Sequence, residues 1–404
     1  MQAPVNGFTE EINQTISRKG THAEKYELRK ALFGTEDVLP MWVADMDLPT
    51  PSFILDALKL RLQHPLLGYT TTPDSVYQAI IDWQAHHDYH ITKSQILFTH
   101  NVANGFYMAV SAFTLPGDTI LVQPPIYPPF LQAPVQNNRH LVEAPLVLDR
   151  QQTTPRYAID FVAFEQVIIE QKVKLFLFCN PQNPSGRVWL RAELEQLAAI
   201  CLRHQVTIIS DEIHSDLVYP GHQHIPIASL SAEIADITVT LNSPGKTFNL
   251  AGLQIGYAII ANAKLKADYL KVCQKVSIHE LNLMGMIALE AAYSPEGFIW
   301  KQTLLEHLTA NIDSLEDFLQ QHAPVVKIMR PEATYLVWLD FSAMFDNQKT
   351  LKNWLVSKAK LGLNDGLSFG KVGKGFMRMN IAVPKLMMAQ AIDQLQEAIN
   401  SVKS

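Results

Sequence analysis

Cysteine is scarce in this chain: three in 404 residues. They are Cys179, Cys201 and Cys273. The number is odd and two lie in apolar runs, which argues against a disulfide framework and predicts reduced thiols in a reducing compartment. Clustered positive charge is missing too. The formal net charge is −6, and no dense run of lysine or arginine occurs, so nucleic acid is not an expected partner. No apolar run approaches the ~20 residues of a membrane span, and no membrane partner is expected. The opening Met1-Gln-Ala-Pro-Val-Asn-Gly-Phe8 has no basic-then-apolar secretion pattern. Internal repeats and low-complexity stretches are absent. The expectation is a cytoplasmic globular protein. Its hydrophobic content of 48% and charged content of 18% suffice for a core, and its length suits two domains.

What is present alternates. Short apolar strands are predicted at 95–99, 119–123, 139–144, 173–179, 206–210, 236–241 and 255–260. Helices are predicted between several of them, at 102–113, 161–172 and 191–204, after two earlier ones at 52–63 and 74–86. This order gives an α/β fold with a mostly parallel seven-stranded sheet covered on both faces. Beyond residue 262 the pattern changes to helices at 264–274, 285–293, 297–322, 351–359 and 385–400, with strands at 334–340 and 376–381. The predicted organisation is therefore a large domain at 49–288, a smaller α+β domain at 289–404, and an N-terminal segment at 1–48 packing with the smaller one. Within that segment 18–22 reads as an exposed arm. Asp45 and Asp47 are candidates for a pocket, Asp47 equally for capping the helix at 52–63.

In such sheets ligands sit beyond the carboxyl ends of the strands. Five loops there carry chemistry. Ser243-Pro-Gly-Lys-Thr-Phe-Asn-Leu-Ala-Gly-Leu-Gln254 places Lys246 between two buried strands. Burial or a cationic neighbour lowers a lysine from its usual ~10.4 towards values suited to Schiff-base chemistry. Asn180-Pro-Gln-Asn-Pro-Ser-Gly186 fixes its backbone with two prolines and offers Asn183 as a hydrogen-bonding amide. Asp211, with His214 and Asp216 crowding the same edge, is a carboxylate in need of a cationic partner, or else the cap of a following helix. Val102 and Ala103 open a helix, where free N–H groups suit a phosphate. Pro124-Pro-Ile-Tyr-Pro-Pro-Phe130 pins Tyr127 for stacking on a planar ring or for packing on a helix. Together these are the parts that hold pyridoxal 5′-phosphate (PLP): an acid to keep the pyridine nitrogen protonated and a lysine for the aldehyde carbon.

Over roughly residues 15–400 the chain resembles fold-type I PLP-dependent enzymes of the class I/II aminotransferase superfamily. Within them it is most similar to the MalY/PatB group of cystathionine β-lyase-type C–S lyases. The stretches that carry the resemblance are Trp42-Val-Ala-Asp-Met-Asp47, Gly68-Tyr69, 180–186, Ile209-Ser-Asp-Glu-Ile-His-Ser-Asp216, Lys246-Thr-Phe-Asn-Leu-Ala-Gly-Leu253, Gly362-Leu-Asn-Asp-Gly366 with Phe369-Gly370, and Gly375-Phe-Met-Arg-Met-Asn380 before Pro384.

The resemblance implies that Lys246 carries PLP as an aldimine and acts as base on Cα, with Tyr127 stacked on the ring as the second catalytic residue. It implies Asp211 at the pyridine nitrogen, Asn183 at the ring hydroxyl and beside the substrate, and His214 among the cofactor-binding residues. Val102, Ala103 and Ser243 would take the phosphate. Tyr69 would reach the neighbouring subunit's phosphate and substrate, making a homodimer with shared active sites, and Arg378 would clamp the substrate carboxylate. The implied reaction is α,β-elimination of cystathionine or a related sulfur amino acid to a thiol, pyruvate and ammonia. An aminotransferase, a PLP-binding regulatory protein and a cofactor-free scaffold stay open as alternatives. Three departures from the pattern stand out: Gly245 where the lyases usually have serine, Gln254 where many aminotransferases have arginine, and Asn101 where relatives often have glycine.

Overall fold

The structure, a computed structural model, describes residues 5–150, 155–278 and 280–403; residues 1–4 of the N-terminal segment lie outside these. Its centre is a seven-stranded sheet built from β1 (Ile96–Thr99), β2 (Thr119–Val122), β3 (His140–Glu143), β4 (Val173–Cys179), β5 (Thr207–Asp211), β6 (Thr238–Asn242) and β7 (Gly256–Ile260). Their spatial order is β1-β7-β6-β5-β4-β2-β3. All neighbours are parallel except β7, which runs antiparallel to both β1 and β6. These are the seven strands expected from the apolar runs.

Strand β4 shows why the runs look continuous. Leu175, Leu177 and Cys179 pack into one buried cluster, with Phe106 and Phe130. Phe176 and Phe178 point the other way, to Phe164 and Trp189. Helices cover both faces, so alternate residues enter two cores and the polar alternation of a half-exposed strand is lost. A third cluster joins helices Ser52–Leu62, Asp74–Ala85, Leu283–Ala292 and Pro295–His322 to strands Leu336–Asp340 and Phe376–Asn380. The long helix Pro295–His322 starts where Ser294 accepts from the Gly297 N–H, and it buries Trp300, Leu304, Leu308, Ile312, Leu315 and Leu319 as one stripe.

The C-terminal part carries a four-stranded antiparallel sheet in the order Lys327–Met329, Leu336–Asp340, Phe376–Asn380, Asn364–Asp365. Strand Leu39–Pro40 pairs in parallel with Leu361–Gly362, which ties the N-terminal segment to this part.

Several local expectations need correction. Asp211 is the last residue of β5, not the first of a loop, and Asp236 ends helix Ala232–Asp236 before β6 begins. Helix Pro128–Gln136 follows Tyr127 where only a rigid loop was expected. Pro128 at its first position lacks only an N–H that would be unsatisfied anyway. Asp47 does not cap helix Ser52–Leu62, because the Glu11 carboxylate accepts from Ser52 N at 2.6 Å.

Candidate active site

A cavity of about 440 Å³ opens at the carboxyl ends of the parallel strands, and Lys246 lies in its wall. The turn between β6 and β7 is braced from inside. Ser243 Oγ donates to Ile255 O at 2.6 Å and accepts from Gly245 N at 2.9 Å, and Leu250 N donates to Gly245 O at 3.0 Å. Thr247 Oγ donates to Asp216 at 3.1 Å. Asp216 is buried and also accepts from Trp83 Nε1 at 2.9 Å; with His87 beside it, its carboxyl is held down at about 2 despite burial. The lysine's backbone is thus fixed by neighbours on both sides. Burial pulls the Lys246 amine down to about 8, helped by the nearby Arg378 charge. Its Nζ donates to Ala44 O at 2.5 Å.

Opposite charges converge on this amine. Asp211, at the end of β5, accepts one bond, from Ile213 N at 3.1 Å, and burial pushes its carboxyl up to about 7. It is no helix cap; no helix follows it. Three residues on, His214 also lines the cavity. Burial first, then Lys246 and Arg378, hold its imidazole well below the usual histidine range, so the ring is neutral. Its Nδ1 has no hydrogen-bond partner among the described residues.

Arg378 comes from the middle of strand Phe376–Asn380 and is buried. Its Nη1 donates to Asn183 Oδ1 at 3.0 Å, and its Nη2 to Trp42 O at 2.9 Å and Asn364 Oδ1 at 2.6 Å. Its guanidinium lies over the Phe369 ring at 4.9 Å. Burial lowers it to about 10, so it stays cationic at neutral pH, and its Nε is left without a partner.

At the other end, Asn101 caps helix Val102–Phe113 by accepting from Asn104 N at 2.7 Å. That leaves the N–H groups of Val102 and Ala103, both in the cavity wall, to meet an anion. Asn101 Nδ2 donates to Gln254 at 2.6 Å, and Gln254 holds a left-handed φ of 51°. Tyr127 also lines the cavity, and its hydroxyl is pushed up by burial and by the Asp211 charge. Tyr69 is the one expected site residue that does not join the others; it is fully exposed and outside this wall.

The sequence reading missed the segment Trp42-Val-Ala-Asp-Met-Asp47 as a strap over the cavity. It has almost no regular structure, so side chains satisfy its carbonyls. Asn380 Nδ2 donates to Val43 O at 2.7 Å and Asp45 O at 2.6 Å, and the Tyr335 hydroxyl to Ala44 O at 2.9 Å. Asn249 donates to Met46 O at 3.1 Å and Leu48 O at 3.0 Å, and accepts from Met46 N at 3.0 Å. Lys25, fully buried, pairs with Asp47 at 2.5 Å, and Arg18 with Asp45 at 2.8 Å. Asp45 and Asp47 therefore anchor the strap, and Arg18 is held at it, not free in an arm.

The residues present fit PLP. A protonated ring nitrogen would give Asp211 the cation its burial demands, the open N–H groups at 102–103 suit a phosphate, and the depressed amine of Lys246 suits an aldehyde. Among the described residues no cluster of three or more His, Cys, Asp or Glu side chains fit for a metal occurs.

Residues 36–395 match the family Aminotransferase class I and II. Cystathionine beta-lyase PatB of Bacillus subtilis is 41% identical over 95% of this chain and 98% of its own. Cystalysin of Treponema denticola, whose structure contains a pyridoxal 5′-phosphate cofactor, superposes with a TM-score of 0.92 at 31% identity, covering 97% of this chain and 99% of its own. The PLP-bound C–S lyase of Staphylococcus hominis, complexed with L-cycloserine, superposes with a TM-score of 0.88 at 32% identity over 96% of this chain and 98% of its own.

Proposed function

The chain belongs to the class I and II aminotransferase family and shares its fold-type I architecture, and from that premise we propose that it is a PLP-dependent carbon–sulfur β-lyase. It splits L-cystathionine or a related cysteine S-conjugate, with water, into a thiol, pyruvate and ammonia. The observation that carries this reading is the convergence of Lys246, Asp211 and Arg378 on one cavity, in a chain whose full-length relatives bear lyase names.

When bound, PLP supplies a protonated aromatic ring that accepts the electron pair of a broken Cα–H bond. The protein's own groups do the rest. Asp211, ionised against the ring nitrogen, keeps that nitrogen protonated. Asn183 donates to the ring hydroxyl while its oxygen holds Arg378. Arg378 would take the substrate α-carboxylate through its unpartnered Nε and its remaining N–H groups, which would orient Cα towards Lys246. Lys246, with a pKa near the working pH, is neutral often enough to take the Cα proton on its Nζ. Loss of that proton expels the thiolate from Cβ. Val102, Ala103 and Ser243 take the phosphate. For Ser243 this requires rotation of a hydroxyl that now donates to Ile255 O.

We assign the large domain to 49–288 and the smaller to 289–404, with 1–48 packing on the latter. The working unit is a homodimer in which Tyr69 reaches the partner's site. An exposed apolar face supports this: Leu60, Leu66 and Leu67 are 67%, 70% and 59% exposed beside Tyr69. Three buried free thiols suit a cytoplasmic setting.

The test is incubation of the PLP-loaded protein with cystathionine in the absence of any 2-oxo acid. Pyruvate and homocysteine should accumulate together; a strict need for an amino-group acceptor would make it an aminotransferase.

A further inference from the structure

The lyase reading leaves open which S-conjugate fits, and the mouth of the cavity bears on that. The part-exposed wall residues of the strap, Trp42 and Val43, are neutral. The cationic side chains of the wall, Lys246 and Arg378, sit deep and are committed to Ala44 O, Asn183, Asn364 and Trp42 O. Glu24 is the exposed charged group of the wall.

Glu24 is held in place by its neighbours. It opens the short helix Glu24–Glu27, whose Lys25 is buried and paired with Asp47 at 2.5 Å. Trp42 Nε1 donates to Lys25 O at 3.0 Å, which clamps that helix against the strap. Glu24 therefore stands on the side of the cavity where Arg378 meets Trp42. Its charge is felt at the Tyr127 hydroxyl. Among the described residues its carboxylate has no ion-pair partner, although Asp45 and Asp47 next to it are paired twice over.

Resting on the lyase reading, we propose that Glu24 is a specificity residue that favours S-conjugates whose leaving thiol carries an ammonium group. A substrate whose α-carboxylate lies on Arg378 projects its sulfur substituent along the strap towards the mouth. An ammonium two or three atoms beyond sulfur meets the unpaired Glu24 carboxylate; a carboxylate there meets repulsion. The far end of cystathionine carries both charges, and Glu24 turns its amino group inward.

Three amino acids of nearly equal size separate the effect of charge: S-(2-aminoethyl)-L-cysteine, S-propyl-L-cysteine and S-(2-carboxyethyl)-L-cysteine. The PLP-loaded full chain is assayed for kcat/KM by pyruvate release, and binding is read independently from tryptophan fluorescence, Trp42 being in the wall. The wild type should rank them cation, neutral, anion, with about threefold per step at low salt, as for a single solvent-exposed carboxylate, and less in 0.5 M salt. Glu24→Gln should bring the three within about twofold, and Glu24→Lys should reverse the order. Equal or reversed ranking by the wild type, or an unchanged ratio in Glu24→Gln, overturns the inference and leaves the lyase reading standing. Absence of pyruvate from all three overturns the lyase reading, while the fluorescence ranking still decides whether Glu24 sorts ligands by charge.

Discussion

Burial makes Asp211 costly until it meets a cation. Its carboxyl is pushed up to about 7 from its usual 3.8. A carboxyl raised on folding costs nothing below its unfolded value, where both states are protonated. The cost grows as pH rises towards about 7 and is then constant. Cofactor-free Asp211→Asn should therefore be more thermostable than cofactor-free wild type at pH 8, by about 1–3 kcal/mol, with a smaller gap at pH 5. The same variant should bind PLP more weakly, because the neutral amide cannot hold the ring nitrogen protonated. Thermal melts at the two pH values and a PLP absorbance titration check both; a gap that is constant with pH would mean that Asp211 is not the strained group.

Single residues were legible where chemistry is local. A lysine between two apolar strands and an aspartate at a strand end are visible in sequence, and the structure places Lys246 and Asp211 in one wall. The departures at 245 and 254 were visible only as differences. At Gly245 the physical content is steric: a Cβ would lie 2.9 Å from Ser243 Oγ, so a side chain there displaces the hydroxyl that now braces the turn; at Gln254 it is a hydrogen bond, accepted from Asn101 Nδ2 at 2.6 Å.

Among the elements, β4 and helix Val102–Phe113 were found to the residue because their periodicity is carried by consecutive residues. The strap was not. Its carbonyls are met by Lys246, Tyr335 and Arg378, which lie 202, 291 and 336 residues further along the chain, and no local pattern encodes such partners. Asn249 is the stitch between strap and lysine turn, with a φ of 56° that asparagine tolerates. Asn249→Gly keeps that backbone freely and removes three side-chain bonds. It should cost about 2–3 kcal/mol at about 1 kcal/mol each and raise KM more than it lowers kcat, since Trp42 O orients Arg378. Denaturant unfolding with steady-state kinetics measures both; wild-type stability in this variant would show that the strap is held elsewhere.

At the scale of the whole molecule, the seven strands of the central sheet followed from strand and helix alternation, while their spatial order and the edge strands Lys327–Met329 and Asn364–Asp365 of the second sheet did not, because pairing between distant segments leaves no local pattern; the proposed homodimer rests on the exposed face around Tyr69. If each site borrows Tyr69 from the partner, a hybrid of a Lys246→Ala chain and a Tyr69→Ala chain has one site with neither change. Such a hybrid, purified through two tags, should regain close to half of wild-type activity although both parents are nearly inactive. No recovery would mean that Tyr69 serves its own chain or none.

The most direct measurement follows the products of one substrate together. PLP-loaded protein is given S-propyl-L-cysteine alone, and propanethiol, pyruvate and ammonia are quantified over the same time course. Elimination driven by Lys246 predicts all three in equal amounts from the first turnovers, with no added 2-oxo acid and none from Lys246→Ala. Thiol retained on a three-carbon oxo acid, or turnover that stops after one equivalent until an acceptor is supplied, would contradict it.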